Sequence, residues 1–228
     1  MDPIAPPLLV LDLDGTLVDT AGDLIGTLNT LLAEEGLAPL HRSDAGAVIG
    51  AGARAMLTRA FARNAVALDE ARLERLFGRF LPLYASRIAD ESRPYPGAIA
   101  ALDRFRDAGW RLAICTNKPE GLARQLLEAL DLTARFAAIC GGDTFPEKKP
   151  APPHLLGTIE RAGGVAGRAV MVGDSATDVA AARNAAVPVV AVTFGYSDGP
   201  VAELGPDAVV DRFDELADAV ARLGIAAV

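Results

Sequence analysis

Histidine and cysteine are almost missing from this chain, with two of each in 228 residues. They stand singly, at His41, His154, Cys115 and Cys140, so no zinc-ligand spacing can be assembled. Two cysteines in a chain this long build no disulfide framework. The same scarcity thins the supply of Ser-His and Cys-His nucleophile pairs, and turns attention to carboxylates. Lysine is equally rare, confined to Lys118, Lys148 and Lys149. Basic charge is short overall, 22 residues against 30 acids for a net charge of −8. That balance argues against a nucleic-acid partner, which selects a basic footprint, and against anionic lipid. Long apolar runs are absent too. The uncharged stretch near Ala185 to Ser197 is too short and too mixed to span a membrane. The opening Met1-Asp2-Pro3-Ile4 carries no positive region, and the apolar run behind it is broken by Asp12. The sequence therefore reads as a cytoplasmic protein with neither a membrane nor a nucleic-acid partner.

What remains is an ordinary globular composition, 51% hydrophobic and 23% charged. A folded chain of this size buries roughly 70% of its unfolded surface, so disorder is excluded. Leu8 to Leu11, Arg111 to Cys115 and Ala169 to Val172 are short apolar runs, each ending at a polar cluster, the pattern of strands covered on both faces. Val189 to Val192 and Ala208 to Val210 read the same way, and Cys115 and Cys140 as buried strand thiols. Helical patterns lie between. Leu122, Leu126 and Leu130 recur every fourth residue, Ile99, Leu102 and Phe105 follow Pro96-Gly97, and Ser175 to Ala186 is rich in alanine. Alternation of this kind predicts an α/β fold, a Rossmann-like open parallel sheet. From Asp19 to Glu91 the alternation stops and only helical patterns appear, including a stripe from Leu73 to Tyr84 that Pro82 should kink, and an Ala/Arg-rich stretch from Ala53 to Ala67. Residues 19–91 are expected to form a smaller inserted α-helical domain, and 1–18 plus 92–228 the core.

Ligands of open parallel sheets bind beyond the carboxyl ends of the strands, so those ends are read together. They carry Asp12-Leu13-Asp14-Gly15-Thr16, Thr116-Asn117-Lys118-Pro119 and Gly173-Asp174-Ser175-Ala176-Thr177-Asp178, with Lys148-Lys149-Pro150 between the last two. Several carboxylates, a hydroxyl, an amide and an ammonium are the components of magnesium-assisted phosphoryl transfer. Mg²⁺ takes hard oxygen ligands, commonly one or two carboxylates with waters and phosphate oxygens, and Asp12 and Asp174 can supply them. The cation offsets repulsion among the acids. Thr116 can donate to a phosphate oxygen, and the helix starting near Pro119 adds backbone N–H groups.

These four motifs, in this order and spanning nearly the whole chain, resemble those of the haloacid dehalogenase-like phosphohydrolase superfamily. Val48 to Ala53, Gly141-Gly142-Asp143 and Thr193-Phe194-Gly195-Tyr196 are most similar to its phosphoglycolate phosphatase branch. The resemblance implies Asp12 as nucleophile, forming an aspartyl-phosphate. It implies Asp14 as the acid for the leaving alkoxide and then the base for water. Asp12, the backbone carbonyl of Asp14 and Asp174 would hold Mg²⁺, with Asp178 in the outer shell. Thr116, Asn117 and Lys149 would bind and orient the phosphoryl group, and Gly50 and Gly52 would face substrate from a loop of the cap. The substrate implied is a small phosphate ester, 2-phosphoglycolate first, handled by a monomer or homodimer. A sugar-phosphate phosphatase or a phosphomutase on the same scaffold stands as an alternative, and so does a non-catalytic metal-binding phospho-acceptor module. Hydrolytic dehalogenases lack the second aspartate of the pair, and residues 16 to 95 hold no lysine for the Schiff base of a phosphonate hydrolase.

The chain departs from the family pattern after Lys149-Pro150, where Ala151-Pro152-Pro153-His154 replaces an acidic residue. It departs again at Ala186, which stands where a left-handed cap favours glycine at about 1 kcal/mol. Other residues have bland readings: Asp19 and Asp23 as starts of the first inserted helix, Arg54 as a solvated arginine, Lys148 as a surface neighbour, and His41 and His154 as surface or capping residues. Lys118 stays open between a contact near the phosphate and a solvated lysine at a helix start.

Overall fold

A computed structural model describes residues 5–225 of the chain. The opening tetrapeptide read above, and the last three residues of the expected core, lie outside the described residues. In chain order the elements are β1 (Leu8–Leu11), β2 (Val18–Asp19), α1 (Ala21–Glu34), α2 (Ala45–Val48), α3 (Ala53–Ala62), α4 (Glu70–Ala85) and β3 (Arg93–Pro94). There follow α5 (Ala98–Asp107), β4 (Arg111–Cys115), α6 (Glu120–Ala129), β5 (Ala138–Cys140), α7 (Pro152–Arg161), β6 (Ala169–Gly173), α8 (Ala176–Asn184), β7 (Val189–Val192), β8 (Ala208–Val210) and α9 (Leu216–Arg222). Among the described residues no helix is long and apolar enough to cross a membrane.

The main sheet is six-stranded, in the order β5-β4-β1-β6-β7-β8, and every pairing in it is parallel. This is the Rossmann-like α/β fold that the alternation predicts. Successive side chains of a strand point to opposite faces, and the core divides accordingly. Leu9, Leu11, Leu112, Ile114, Val170 and Val172 belong to one apolar cluster. Leu8, Val10, Ala113, Cys115, Ala169 and Met171 belong to the other, with Leu155 and Ile159 of α7 and Val179 of α8. Because both faces are covered, β1 is buried throughout. The first cluster continues into the helical segment through Leu28, Leu57, Phe61 and Phe80.

Strand β5 adds to the runs read from the sequence, because three residues carry no periodicity of their own. The pair β2 and β3 is antiparallel, Val18 opposite Pro94 and Asp19 opposite Arg93, at the junction where the helical segment leaves and rejoins the sheet. Helix α4 contains Pro82 and runs on to Ala85. Buried Phe80 and Tyr84 hold its last turn against the core on either side of the proline, and tertiary packing outweighs one lost backbone bond. Helix α3 stops at Ala62, short of the Ala67 expected, and Ala65 takes a φ of 56°. Ala186 does take a left-handed backbone, with φ 52°.

Asp23 stands in the first turn of α1, as expected, and does more than start a helix. Its carboxylate is fully buried and accepts from Ser92 N at 2.8 Å, Ser92 Oγ at 2.6 Å and Glu91 N at 3.1 Å. The first turn of α1 is thereby fastened to the residues that lead into β3. Truncation leaves buried donors unpaired, so Asp23→Ala is expected to lower unfolding free energy by about 2–4 kcal/mol. Urea titration checks this, and a change below about 0.5 kcal/mol, the surface-substitution range, would show that the clasp contributes nothing.

Candidate active site

Strands β4, β1 and β6 are neighbours in the sheet, so the residues that follow them converge at one edge. Asp12 follows β1, Thr116 follows β4 and Asp174 follows β6. A backbone bond from Asp12 N to Val172 O, 2.9 Å long, sets the turn in which β1 ends. Carboxylate oxygens of Asp12, Asp174 and Asp178 lie within 4.8 Å of one another. The Asp14 carboxylate is not in this group; it points the other way and meets Lys118 Nζ at 2.8 Å.

Lys149 sits inside the acidic cluster, 3.0 Å from Asp12 Oδ1 and 2.6 Å from Asp178 Oδ1. Burial alone would lower the pKa of its ammonium, but Asp12 and Asp178 reverse that and hold it charged. Burial, followed by the influence of neighbouring acids, raises the pKa of Asp174. Burial also raises that of Asp12, against the pull of Lys149. Each oxygen of Asp174 accepts a hydrogen bond, one from Thr16 Oγ1 at 2.6 Å and one from Tyr196 N at 2.7 Å. Asp178 is committed as well: Oδ1 takes Lys149, while Oδ2 takes Ser175 N and Ser175 Oγ, closing the cap of α8. Two buried carboxylates and one half-buried one, beside one ammonium, leave a surplus of negative charge and hard oxygen donors. That donor set fits a divalent cation, with Asp12 and Asp174 the two carboxylates not consumed by capping.

Thr116 is buried, and its Oγ1 accepts from Lys118 N at 3.2 Å, which leaves the hydroxyl proton free to donate. Asn117 Nδ2 donates to Lys149 O at 3.0 Å and so ties the second motif to the third. A cleft opens above these residues, lined by Asp12, Asp14, Thr116, Lys118, Lys149 and Asp174. Its walls come from the strand ends and from the helical segment, where Gly50, Gly52, Met56, Phe80 and Tyr84 face it. Gly52 has φ 93°, which a side chain would strain, and a Cβ there would stand 3.5 Å from Asn117 O. Arg54 is outside the cleft, exposed, paired with Glu74 and stacked on Phe77. Lys148 Nζ approaches Ala51 O at 3.4 Å, so it touches the helical segment from an exposed position.

Several residues of the site carried no readable signal or were misread. Lys118 is buried between Asp14 and Tyr84 Oη, 2.8 Å from each; a lysine beside a motif, in a chain with so few, was the available clue. Tyr196 links Asp174 to the start of α1, because its hydroxyl accepts from Thr20 N and Ala21 N and donates to Asp19. At Gly195 a Cβ would come within 2.4 Å of Asp174 Oδ2, so only glycine lets this loop lie against the carboxylate. His154 is fully buried rather than a surface residue. Its Nδ1 accepts from Lys149 N at 3.0 Å, bracing the backbone of the third motif.

A family model for haloacid dehalogenase-like hydrolases matches residues 9–192. The chain belongs to the haloacid dehalogenase-like hydrolase family. It is 54% identical over 214 residues to a phosphoglycolate phosphatase of Agrobacterium fabrum, covering 94% of this chain and 92% of that protein. A phosphoglycolate phosphatase of Mesorhizobium japonicum is 51% identical, with 92% of each chain covered. Among solved structures, one described as a predicted phosphoglycolate phosphatase from Haemophilus somnus superposes with a TM-score of 0.87. It is 30% identical, over 94% of this chain and 97% of that one. The chain is an enzyme, a phosphatase of the phosphoric monoester hydrolase class.

Burial, then the Lys149 ammonium, pushes the pKa of His154 down to about 4. The native state therefore holds the imidazole neutral while the unfolded chain protonates it near the ordinary value of about 6.5. This contribution is complete above that value and is lost as pH falls toward 4, by at most about 3 kcal/mol. His154→Gln keeps an acceptor for Lys149 N but does not titrate, so its urea midpoint is expected to fall less than wild type between pH 7 and 4.5. Parallel pH profiles for the two proteins would exclude the effect.

Proposed function

We propose that this phosphatase hydrolyses 2-phosphoglycolate by way of an aspartyl-phosphate on Asp12, with Mg²⁺ as cofactor. The observation that carries the reading is the position of Asp12, at a central strand end, 3.0 Å from the charged Lys149 and beside Asp174. Similarity to the phosphoglycolate phosphatases above supports the substrate.

Asp12 and Asp174, with the backbone carbonyl of Asp14, would hold Mg²⁺. When bound, the cation neutralises phosphate charge and balances the acidic cluster. An Asp12 carboxylate oxygen attacks phosphorus, and the bond from phosphorus to the ester oxygen breaks. Asp14 gives its proton to the departing alkoxide. Water then attacks the phosphorus of the acyl phosphate as Asp14 takes a proton back, which frees phosphate and the Asp12 carboxylate. Lys149 and the Thr116 hydroxyl lie against the transferring group, where charge builds in the transition state, and Asp178 holds Lys149 in place. Asn117 positions the Lys149 loop through its carbonyl. We read residues 19–91 as a cap over a core of 1–18 and 92–228, with Gly50 and Gly52 lining the cleft so that cap closure limits water.

Phosphate release from 2-phosphoglycolate in the presence of Mg²⁺ tests the reading directly. Chelation is expected to abolish it and Mg²⁺ to restore it. Asp12→Asn is expected to lower kcat by at least about a thousandfold, since nucleophiles supply much of such rate enhancements; full activity in that variant would move the nucleophile elsewhere. Asp14→Asn is expected to slow both half-reactions and to let acid-stable bound phosphate be detected on the protein after a burst of aryl phosphate, and activity equal to wild type would remove Asp14 from the mechanism.

A further inference from the structure

The cleft holds two lysines, and the phosphate chemistry uses only one. Lys149 belongs to the Asp12 and Asp178 side. Lys118 stands on the other side, 2.8 Å from the Asp14 carboxylate and therefore next to the place where the ester oxygen leaves. Its ammonium is buried and meets both Asp14 and Tyr84. Of its three N–H groups, one goes to Asp14 Oδ1 and one to Tyr84 Oη. The third has no partner among the described residues' hydrogen bonds, and Lys118 lines the cleft. The cleft it lines also has apolar members, Leu24, Phe80, Leu81 and Leu122. Buried cationic N–H groups facing a partly apolar cavity call for an anionic ligand.

We propose that Lys118 binds a carboxylate of the substrate and so selects α-phosphonooxy carboxylates over neutral esters. This rests on the phosphoglycolate reading and names the residue that would enforce it. Two features set the chemistry. With Asp14 carrying the proton it gives to the leaving group, the Lys118 ammonium assisted by one phenol balances one negative charge, which matches a carboxylate; a second phosphate dianion would need more donors than Lys118 and Tyr84 provide. Lys118 is also one hydrogen bond from Asp14, which in the proposed mechanism faces the ester oxygen, so the second anion would sit on the carbon next to the ester-bearing carbon. A longer acid would carry its charge past Lys118 toward the apolar side chains. Tyr84 belongs to α4 while Lys118 follows β4, so the carboxylate would be gripped only where the helical segment meets the sheet.

The test compares matched esters that differ only in the carboxylate: 2-phosphoglycolate against ethyl phosphate, and 2-phospholactate against isopropyl phosphate. The readout is the ratio of kcat/KM within each pair, for wild type, Lys118→Met, Lys118→Gln and Lys118→Arg, each checked for folding by circular dichroism. Wild type is expected to favour the carboxylated ester by about 10- to 150-fold, the range of one charge-assisted hydrogen bond. Met and Gln are expected to bring the ratio close to unity, chiefly through KM, and Arg to keep part of it. If Lys118 only positions Asp14, kcat falls on both esters together and the ratio stays as in wild type, which overturns the proposal. No carboxylate preference in wild type overturns it without any variant. Faster turnover of a hexose phosphate than of 2-phosphoglycolate would reject the proposed substrate, while the ratio within each ester pair would still decide the role of Lys118.

Discussion

Three carboxylates packed within 4.8 Å are the constraint on which the rest of this structure depends. Asp12, Asp174 and Asp178 repel one another in a setting with little water, and burial raises the pKa values of Asp12 and Asp174. The protein offsets that repulsion with Lys149, with hydroxyls and with backbone N–H groups. Thr16, Tyr196 N, Leu13 N and Ser175 each donate to one of the three. Such a cluster is tolerable because fixed dipoles replace solvent around it. The remaining excess of negative charge makes it a site for a cation rather than a structural knot.

The same constraint reaches the junction where the helical segment leaves and rejoins the sheet. Tyr196 donates its backbone N–H to Asp174 while its hydroxyl meets Asp19, Thr20 N and Ala21 N. The strand that leaves for the helical segment is therefore tied to a carboxylate of the acidic cluster. Asp23 fastens the same helix start to Glu91 and Ser92, where the chain returns. On the far side of the cleft, Tyr84 of the helical segment meets Lys118 of the sheet edge. Several contacts between the two parts of the chain thus fall on residues adjoining Asp14 and Asp174.

Much of this was legible in one dimension because parallel strands buried on both faces leave continuous apolar runs, and because their polar ends must be where ligands bind. The runs at Leu8, Arg111 and Ala169 needed no long-range information. Strands β2 and β3 were not legible, and β5 only through its buried Cys140, since two or three residues are too short to show a period. His154 was misread because a single polar residue in a proline-rich stretch looks exposed; only the fold places Lys149 N against its ring. Asp23 does start the first inserted helix, but its partners were not legible. An acid in the first turn of a helix matches a cap pattern, and its actual partners are 68 and 69 residues away.

By itself the sequence determined the alternation of strand and helix, the surplus of acid and the four polar motifs at strand ends. These are local properties, set by side-chain period and residue type. Only the tertiary structure decided which acids converge, which of the lysines stands with Asp12 and which with Asp14, and that Tyr84 and Tyr196 belong to the site. The physical reason is that electrostatic partnership depends on separation in space. Lys118 and Asp14 are 104 positions apart in the chain and 2.8 Å apart in the fold.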